Sequence, residues 1–144
     1  MENSTDKNNS FFRFEDLRIY HKALDFVDWI QEATNYFSDD SKQSLALPMF
    51  KAAHAIAVNI AEGSARNKSQ FVYYLKMAKS SVRECVVYTT IAKKQNLISA
   101  EAEEEGRRQL MELTKMIGAL IASLQKAQIA GFEDKHKDDV DFDD

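Results

Sequence analysis

The sequence predicts an all-α protein, an antiparallel up-down-up-down four-helix bundle, and three observations support this prediction. Glycine and proline are scarce, with 4 Gly and 1 Pro in 144 residues, which argues against a loop-rich β protein. Apolar residues recur at steps of three and four in four long stretches, the spacing of one helix face. Short connections separate these stretches, as they do in bundles whose consecutive helices are antiparallel.

The first predicted helix, residues 15–37, carries more apolar surface than one core requires. Two heptad seams together cover an arc of roughly 200°, whereas a helix on a single core needs a stripe only somewhat over ~100° wide. The excess favours a second subunit as partner, with a helix enclosed by its own bundle as the alternative. The candidate residues for an oligomer interface are Ile19, Phe26, Trp29, Ile30 and Phe37.

The second predicted helix is rich in alanine and contains the one proline of the chain. Proline is tolerated in the first turn of a helix but not in its interior. The regular helix should therefore begin near residues 45–48, or kink there. Gly63 stands where a C-terminal cap is expected.

The third predicted helix covers residues 70–95, with Ser69 as its expected N-cap. The residues of its apolar seam are separated alternately by four and three positions without exception: Phe71, Leu75, Ala78, Val82, Cys85, Thr89 and Ala92. Ser99 should cap the fourth helix, whose early glutamates complement the positive helix end. That helix should end near Gln128, because Gly131 follows.

The charge of the chain is distributed unevenly. Residues 131–144 hold seven acids and two bases, a net charge of −5, whereas the rest of the chain is close to neutral. Such a tail is most often solvated and disordered. We therefore divide the chain into a disordered segment 1–13, a four-helix bundle 14–130 and an acidic disordered tail 131–144.

The location predicted from the sequence is the cytoplasm. There is no run of 18 or more apolar residues, so no membrane span and no membrane partner are expected. The N-terminus is polar and lacks the apolar region of a signal peptide. Cys85 is the one cysteine, so an intrachain disulfide is impossible and a reducing compartment fits.

No pattern in the sequence predicts catalysis, a metal or another cofactor. Metal sites in bundles use Glu-x-x-His pairs, but Arg18 precedes His21 and Lys51 precedes His54 at that spacing. Phosphate-binding glycine-rich loops and nucleophile elbows are absent from the sequence. Cys85 lies on an apolar seam, where burial is expected and a reactive thiolate is not. We therefore do not expect an enzyme.

Cations form a row on the third predicted helix, away from its seam. Lys76, Lys79 and Arg83 follow one another at i, i+3 and i+7, and we call them the basic row. Further cations stand around the end of this helix and the start of the next: Lys93, Lys94, Arg107 and Arg108. In a ring of several copies their fields would sum, which would allow these cations to contact an RNA or DNA backbone. A solvated surface is the alternative, since acids roughly match these cations.

One motif at the end of the second helix places an amide, a carboxylate and a guanidinium close together. It reads Asn59-Ile60-Ala61-Glu62-Gly63 and is followed by Arg66. An ordinary helix end requires only the glycine. We hypothesise that Glu62 or Glu84 pairs with Arg66 and that Asn59 satisfies exposed backbone groups. Such a pair would specify how the second helix turns into the third.

This motif, with Phe14-Glu15-Asp16-Leu17 and Phe71-x3-Leu75-x2-Ala78-x-Ser80-Ser81-Val82-x-Glu84, resembles the S23-like bundle proteins encoded within 23S rRNA intervening sequences. That family is related to the accessory variability protein of diversity-generating retroelements. The resemblance covers residues 14–126 and implies a homopentamer of antiparallel bundles. For the retroelement branch it also implies a basic surface that binds nucleic acid and a reverse transcriptase. The family-motif residues that it carries over are Asn59, Glu62, Gly63, Arg66 and Glu84.

The chain departs from this family at three positions and in its tail. Pro48 lies early in the second helix, Ser80 replaces a frequent glycine, and Phe50 replaces a frequent basic residue. These departures weaken the expectation of nucleic-acid binding more than that of the fold. The sequence therefore predicts a non-enzymatic oligomeric scaffold or protein–protein adaptor. A nucleic-acid-binding accessory protein is the alternative.

Overall fold

The computed structural model describes the backbone of residues 10–143 and the side chains of residues 10–131. This part of the chain contains four long helices and no strand, which confirms the all-helical prediction. The helices are α1 (Arg18–Thr34), α2 (Asp39–Ser64), α3 (Lys68–Lys94) and α4 (Ala100–Asp143). A 3₁₀ turn, Arg13–Asp16, precedes α1. Most of the predicted disordered segment, residues 1–9, lies outside the described residues.

Helix α1 is shorter than predicted at both ends. Leu17 takes an extended conformation after the 3₁₀ turn, so the helix starts only at Arg18. Near the other end, the Thr34 hydroxyl donates to the Ile30 carbonyl at 2.8 Å. Bonds of this kind compete with the backbone ladder and often accompany a bend or an end. Phe37 therefore lies in the α1–α2 connection, with its side chain buried.

Helix α2 accommodates Pro48 through a wider turn. The helix starts at Asp39, earlier than predicted, and Lys42–Ala46 form a π-helical turn. The regular α-helix then runs over Leu47–Ser64 with Pro48 in its first turn, as expected. Proline lacks an amide hydrogen and its ring collides with the carbonyl four residues earlier. A wide turn before it keeps the chain helical.

Two serines were expected to cap α3 and α4, and one of them does. Asn67, not Ser69, caps α3, since its Oδ1 accepts from the Gln70 amide at 2.9 Å. Because α3 already starts at Lys68, Ser69 falls inside its first turn. Ser99 caps α4 as predicted, with its Oγ accepting from the Ala102 amide at 3.0 Å.

The end of α4 differs from the prediction. The helix continues through Gly131 to Asp143, so the expected end near Gln128 is wrong. Gly131 does not adopt a positive φ. A glycine in a right-handed helix costs only about 1 kcal/mol relative to alanine, too little to terminate a helix alone. Side chains after Gly131 are outside the described part, so the disorder of the acidic tail stays a prediction.

The core lies between the four helices, each of which packs on two others. Helix α2 contacts α1 and α3, and α4 contacts α3 and α1. The predicted seam of α3 faces this core, with Leu75, Ala78, Val82, Cys85, Thr89 and Ala92 all buried. By length and composition α2 resembles a membrane-spanning helix, but here it packs between α1 and α3, as a core helix of a bundle does.

Candidate interaction surfaces

Gly63, at the centre of the motif, is a close-packing position and not a helix cap. It is buried inside α2, and its φ is not positive. A Cβ at Gly63 would lie 2.7 Å from the Tyr74 Cβ and 2.8 Å from the Phe71 Cδ1, both on α3. Only a residue without a side chain fits this gap. Gly63 therefore sets how closely α2 approaches α3.

Glu62 and Arg66 form the predicted ion pair one helical turn apart, with 3.3 Å between Oε2 and Nη2. The Arg66 guanidinium also lies over the Tyr74 ring, 5.3 Å from its centroid. The pair is not buried, since 54% of the Glu62 side chain and 43% of the Arg66 side chain are exposed. An exposed pair contributes at most ~1 kcal/mol. The pair therefore orients the α2–α3 turn more than it stabilises it.

The remaining motif residues do not act as hypothesised. Asn59 Nδ2 donates to the Ala55 carbonyl at 2.9 Å, which lies inside the same helix and not at its end. Glu84 is exposed and, among the described residues, has no ion pair with Arg66 or any other cation. It borders a groove of about 320 Å³ between α2 and α3. Lys51, Ala55, Ser81 and Tyr88 also line this groove.

The residues expected at an oligomer interface belong mainly to the core of the subunit. Ile19, Phe26, Ile30 and Phe37 are at most 5% exposed, which corrects that expectation. The fifth, Trp29, is half-buried and stacks on Phe26 with ring centroids 5.5 Å apart. Helical periodicity identified an apolar arc on α1 but not which part of it the other helices cover.

A surface that the sequence analysis did not single out lies on the outer side of α2 and α3. Five large apolar side chains there are exposed: Leu47 (50%), Val58 (57%), Tyr73 (61%), Met77 (41%) and Val87 (56%). We call them the outer α2–α3 face.

These five side chains flank the α2–α3 groove. Leu47 lines the groove itself, Val58 follows Ala55 by one turn, and Val87 follows Glu84 by one turn. On α3, Met77 lies one turn before Ser81, and Tyr73 lies one turn before Met77. The signal in the sequence was the recurrence of Tyr73, Met77 and Val87 at helical spacing on the side of α3 opposite its seam.

The basic row lies on the surface of α3. In the part of the chain with described side chains, Lys76, Lys79 and Arg83 enter no ion pair. Lys93 and Lys94 occupy the last turn of α3, where cations complement the negative helix end. Arg107 Nη1 donates to the Thr90 hydroxyl at 3.1 Å, so this α4 cation is held beside α3.

Arg108, in contrast, is neutralised inside its own helix. Its Nη2 lies 2.7 Å from the Glu105 Oε2, and its Nη1 lies 3.5 Å from the Glu112 Oε2. Hydrogen bonds from Arg108 and Gln109 lower the pKa of Glu105 to about 2. The Arg108 charge is thus committed to two carboxylates. The structure separates it from the other candidate nucleic-acid contacts.

A groove of about 670 Å³ runs along α4 beside α3. Val86 lines it from α3, and Leu110, Met111 and Thr114 line it from α4. Glu103, Glu104, Arg107 and Arg108 provide both signs of charge at one end. Among the described residues, no cluster of His, Cys, Asp or Glu is arranged to hold a metal ion.

Cys85 is fully buried on the α3 seam, as predicted. Its burial, together with the neighbouring Glu84 carboxylate, raises the pKa of the thiol to about 12 from an ordinary value of 9.0. A thiolate is the nucleophilic form of cysteine. The thiol is therefore a packing group of the folded protein.

Native Cys85 should accordingly resist thiol reagents. Three pKa units correspond to ~1,000-fold less thiolate at pH 8, and burial also limits access. Labelling by Ellman's reagent should be at least ~100-fold slower in the native protein than in 6 M guanidinium. Because the pKa of the Cys85 thiol is higher in the folded than in the unfolded chain, its neutral form adds to the free energy of unfolding. This addition is complete below pH 9 and is lost as the pH rises toward 12. Equal labelling rates in the two states would contradict the burial.

Comparisons with known proteins agree with the helical architecture. Residues 15–119 match the family model described as 23S rRNA-intervening sequence protein. A crystal structure of a protein of unknown function from the S23 ribosomal protein family of Bacteroides thetaiotaomicron has a similar fold, with a TM-score of 0.66. The sequence identity is 18%, and the match covers 72% of this chain and 97% of that chain. No curated protein matches this sequence.

Proposed function

The chain belongs to the 23S rRNA-intervening sequence protein family, and from this premise we propose that it is a non-enzymatic, self-associating helical scaffold or protein–protein adaptor. The observation that carries the proposal is the outer α2–α3 face. Five of the large apolar side chains exposed on the described residues belong to these two adjacent helices. Copies of the chain would cover this face by packing on one another.

The surroundings of the face suit a protein interface. Such interfaces have an apolar centre and a polar rim. Here Lys51, Glu62, Arg66 and Glu84 are exposed around the apolar side chains. Aromatic residues and methionine are enriched at interface centres, and this face contains Tyr73 and Met77. Charge at the edge would favour one register of association over others.

The resemblance and the topology suggest the form of the assembly. We expect antiparallel up-down-up-down bundles, because only residues 65–67 join α2 to α3 and residues 95–99 join α3 to α4. We expect these bundles to form a cytoplasmic homopentamer, as the resemblance implies. In such a ring each subunit would use the outer α2–α3 face to contact its neighbours, leaving other surfaces free for a partner protein.

Met77→Glu should disrupt this association, because it places a carboxylate on the apolar face. Sedimentation velocity at ~10 μM should show the wild-type chain as an oligomer and the variant as monomer, or with at least 10-fold weaker association. Met111→Glu is the matched control, since Met111 is 55% exposed on α4, away from this face. A monomeric wild type, or equal association of the two variants, would reject the proposal.

Nucleic-acid binding is the second candidate function, and the basic row favours it. Its three cations have no ion-pair partner on the described residues, and Arg107 is fixed nearby on the Thr90 hydroxyl. Cations that are not neutralised by the protein are the ones that displace counterions from a phosphate backbone. Repetition of the row around a ring would strengthen the attraction.

A further inference from the structure

Two adjacent phenylalanines are exposed in front of α1. The side chains of Phe11 and Phe12 are 89% and 57% exposed. Their rings contact each other edge to face, with centroids 5.1 Å apart, and we call them the aromatic pair. A buried aromatic side chain removes about 150–250 Å² from water. The pair is therefore stabilised wherever another surface covers it.

The aromatic pair is held in place by the 3₁₀ turn that follows it. The Glu15 amide donates to the Phe12 carbonyl at 3.0 Å, and the Ser10 hydroxyl donates to the Glu15 carboxylate at 2.9 Å. The Phe14 ring then packs on the Tyr20 ring of α1, with centroids 5.0 Å apart. A segment that is ordered before binding loses little conformational freedom on binding. The turn thus presents both rings in a fixed position.

The α2–α3 groove has the space and the lining that an aromatic ring requires. Its volume is about 320 Å³, and the small side chains of Ala52, Ala55 and Ser81 leave this space between the two helices. Leu47 provides an apolar wall and Tyr88 an aromatic one, against which a second ring packs edge to face. The groove of the same subunit does not hold the aromatic pair, because both rings are exposed.

We propose that the aromatic pair of one copy inserts into the α2–α3 groove of the next copy. This contact rests on the self-association proposed above and belongs to the same surface, since Leu47 both lines the groove and is part of the outer α2–α3 face. The two contacting surfaces differ, so the interface is heterologous. Heterologous interfaces repeat head to tail and generate rings or filaments, whereas a face that meets itself gives a two-fold dimer.

The charges beside the aromatic pair complement those beside the groove. Arg13 and Asp16 are exposed on the turn, whereas Lys51 of α2 and Glu84 of α3 border the groove. None of the four has an ion-pair partner among the described residues. Residues three apart on a 3₁₀ helix share one face and lie about 6 Å apart, close to the interaxial distance of packed helices, about 8–10 Å. Arg13 therefore pairs with Glu84 and Asp16 with Lys51, which fixes the register.

Mixing two variants of the full-length chain tests this contact. The first carries Phe11→Ser and Phe12→Ser and lacks the aromatic pair, and the second carries Ala55→Trp, which fills the groove. In sedimentation velocity each variant alone should associate at least ~10-fold more weakly than the wild type. An equimolar mixture should form dimers through the one intact contact. Tyr36→Ser removes a 93% exposed ring elsewhere and should associate like the wild type.

Charge reversal gives a second test that does not depend on filling the groove. Arg13→Glu and Glu84→Arg should each weaken association about 3-fold at low salt, because each places like charges opposite one another. The chain with both substitutions should regain the affinity of the wild type. Circular dichroism of every variant confirms that the bundle is folded.

Three outcomes overturn the contact without touching the proposed scaffold, provided that the wild type assembles and Met77→Glu disrupts it. One is equal association of the chain without the aromatic pair and of Tyr36→Ser. Another is a mixture of the two weakened variants that remains monomeric. The third is a doubly charge-reversed chain that associates as weakly as either single variant. A monomeric wild type, in contrast, rejects the proposed self-association and this contact together with it.

Discussion

Gly63→Ala is expected to destabilise the fold by up to about 2 kcal/mol, although alanine is the better helix former. A Cβ at this position would lie 2.7 Å from the Tyr74 Cβ, which is attached directly to the α3 backbone. No rotamer change can move that atom away, so α2 and α3 have to separate. Overpacking of this kind costs typically 1–3 kcal/mol, against a gain of about 1 kcal/mol in helix propensity. Thermal unfolding should show a melting temperature lower by several degrees.

Gly118→Ala is the control that separates steric from propensity effects. Gly118 is also helical, but nothing lies within 4 Å of a Cβ placed on it. Its substitution should stabilise the protein by about 0.5–1 kcal/mol. Opposite signs at the two positions are the expected result. If both substitutions raised the melting temperature, α2 and α3 would not be in the close contact described here.

The same substitution should weaken self-association. Gly63 sets the spacing of α2 and α3, and the outer α2–α3 face is built from both helices. Moving them apart changes the distance between Val58 on one helix and Met77 on the other. We therefore expect Gly63→Ala to raise the dissociation constant of the assembly even at temperatures where the bundle is folded. Gly118→Ala should leave it unchanged.

The motif around Gly63 shows what the sequence could and could not predict. The Glu62–Arg66 pair was predictable, because residues four apart on a helix are neighbours regardless of the rest of the fold. The role of Gly63 was not. A glycine at a helix end and a glycine at a helix crossing look alike in one sequence. They differ only in what lies opposite, here Tyr74 and Phe71, which follow later in the chain.

The same reasoning explains why the buried seam of α3 was predicted correctly and why the oligomer interface expected on α1 was not. The α3 seam is an uninterrupted single stripe, so its burial follows from periodicity alone. On α1 the apolar arc is wide, and periodicity cannot assign its halves to core or surface. The structure places Ile19, Phe26 and Ile30 in the core and leaves Leu24 36% exposed. Which part of the α1 arc is buried depends on where α2 and α4 pack against it.

The different contacts of Arg107 and Arg108 could not be read from the sequence either. Arg108 looked like a member of the cationic cluster because it adjoins Arg107 in the sequence. Adjacent residues on a helix point about 100° apart. Arg107 therefore reaches Thr90 on α3, whereas Arg108 binds Glu105 and Glu112 on its own helix. Any nucleic-acid contact on this side should accordingly depend on Arg107 and not on Arg108.

Gly106→Ala is expected to have an effect comparable to that of Gly63→Ala at the opposite helix pair, and one that fluorescence can report. Trp29 of α1 packs directly over Gly106 of α4. A Cβ there would contact Cη2 and would lie 2.7 Å from Cζ2 and 2.9 Å from Cζ3. The indole stacks on the fully buried Phe26, so it cannot shift deeper into the core. It has to move outward, at a cost of about 1–3 kcal/mol less the propensity gain of about 1 kcal/mol.

Trp29 is the one tryptophan of the chain, so its emission reports this displacement without interference. Gly106→Ala should shift the native emission maximum to longer wavelength and lower the melting temperature by several degrees. Gly63→Ala should lower the melting temperature with an unchanged native spectrum, because Gly63 contacts α3 and not α1. Gly118→Ala should neither shift the emission maximum to longer wavelength nor lower the melting temperature. An unshifted spectrum for Gly106→Ala would mean that the indole is not seated on α4.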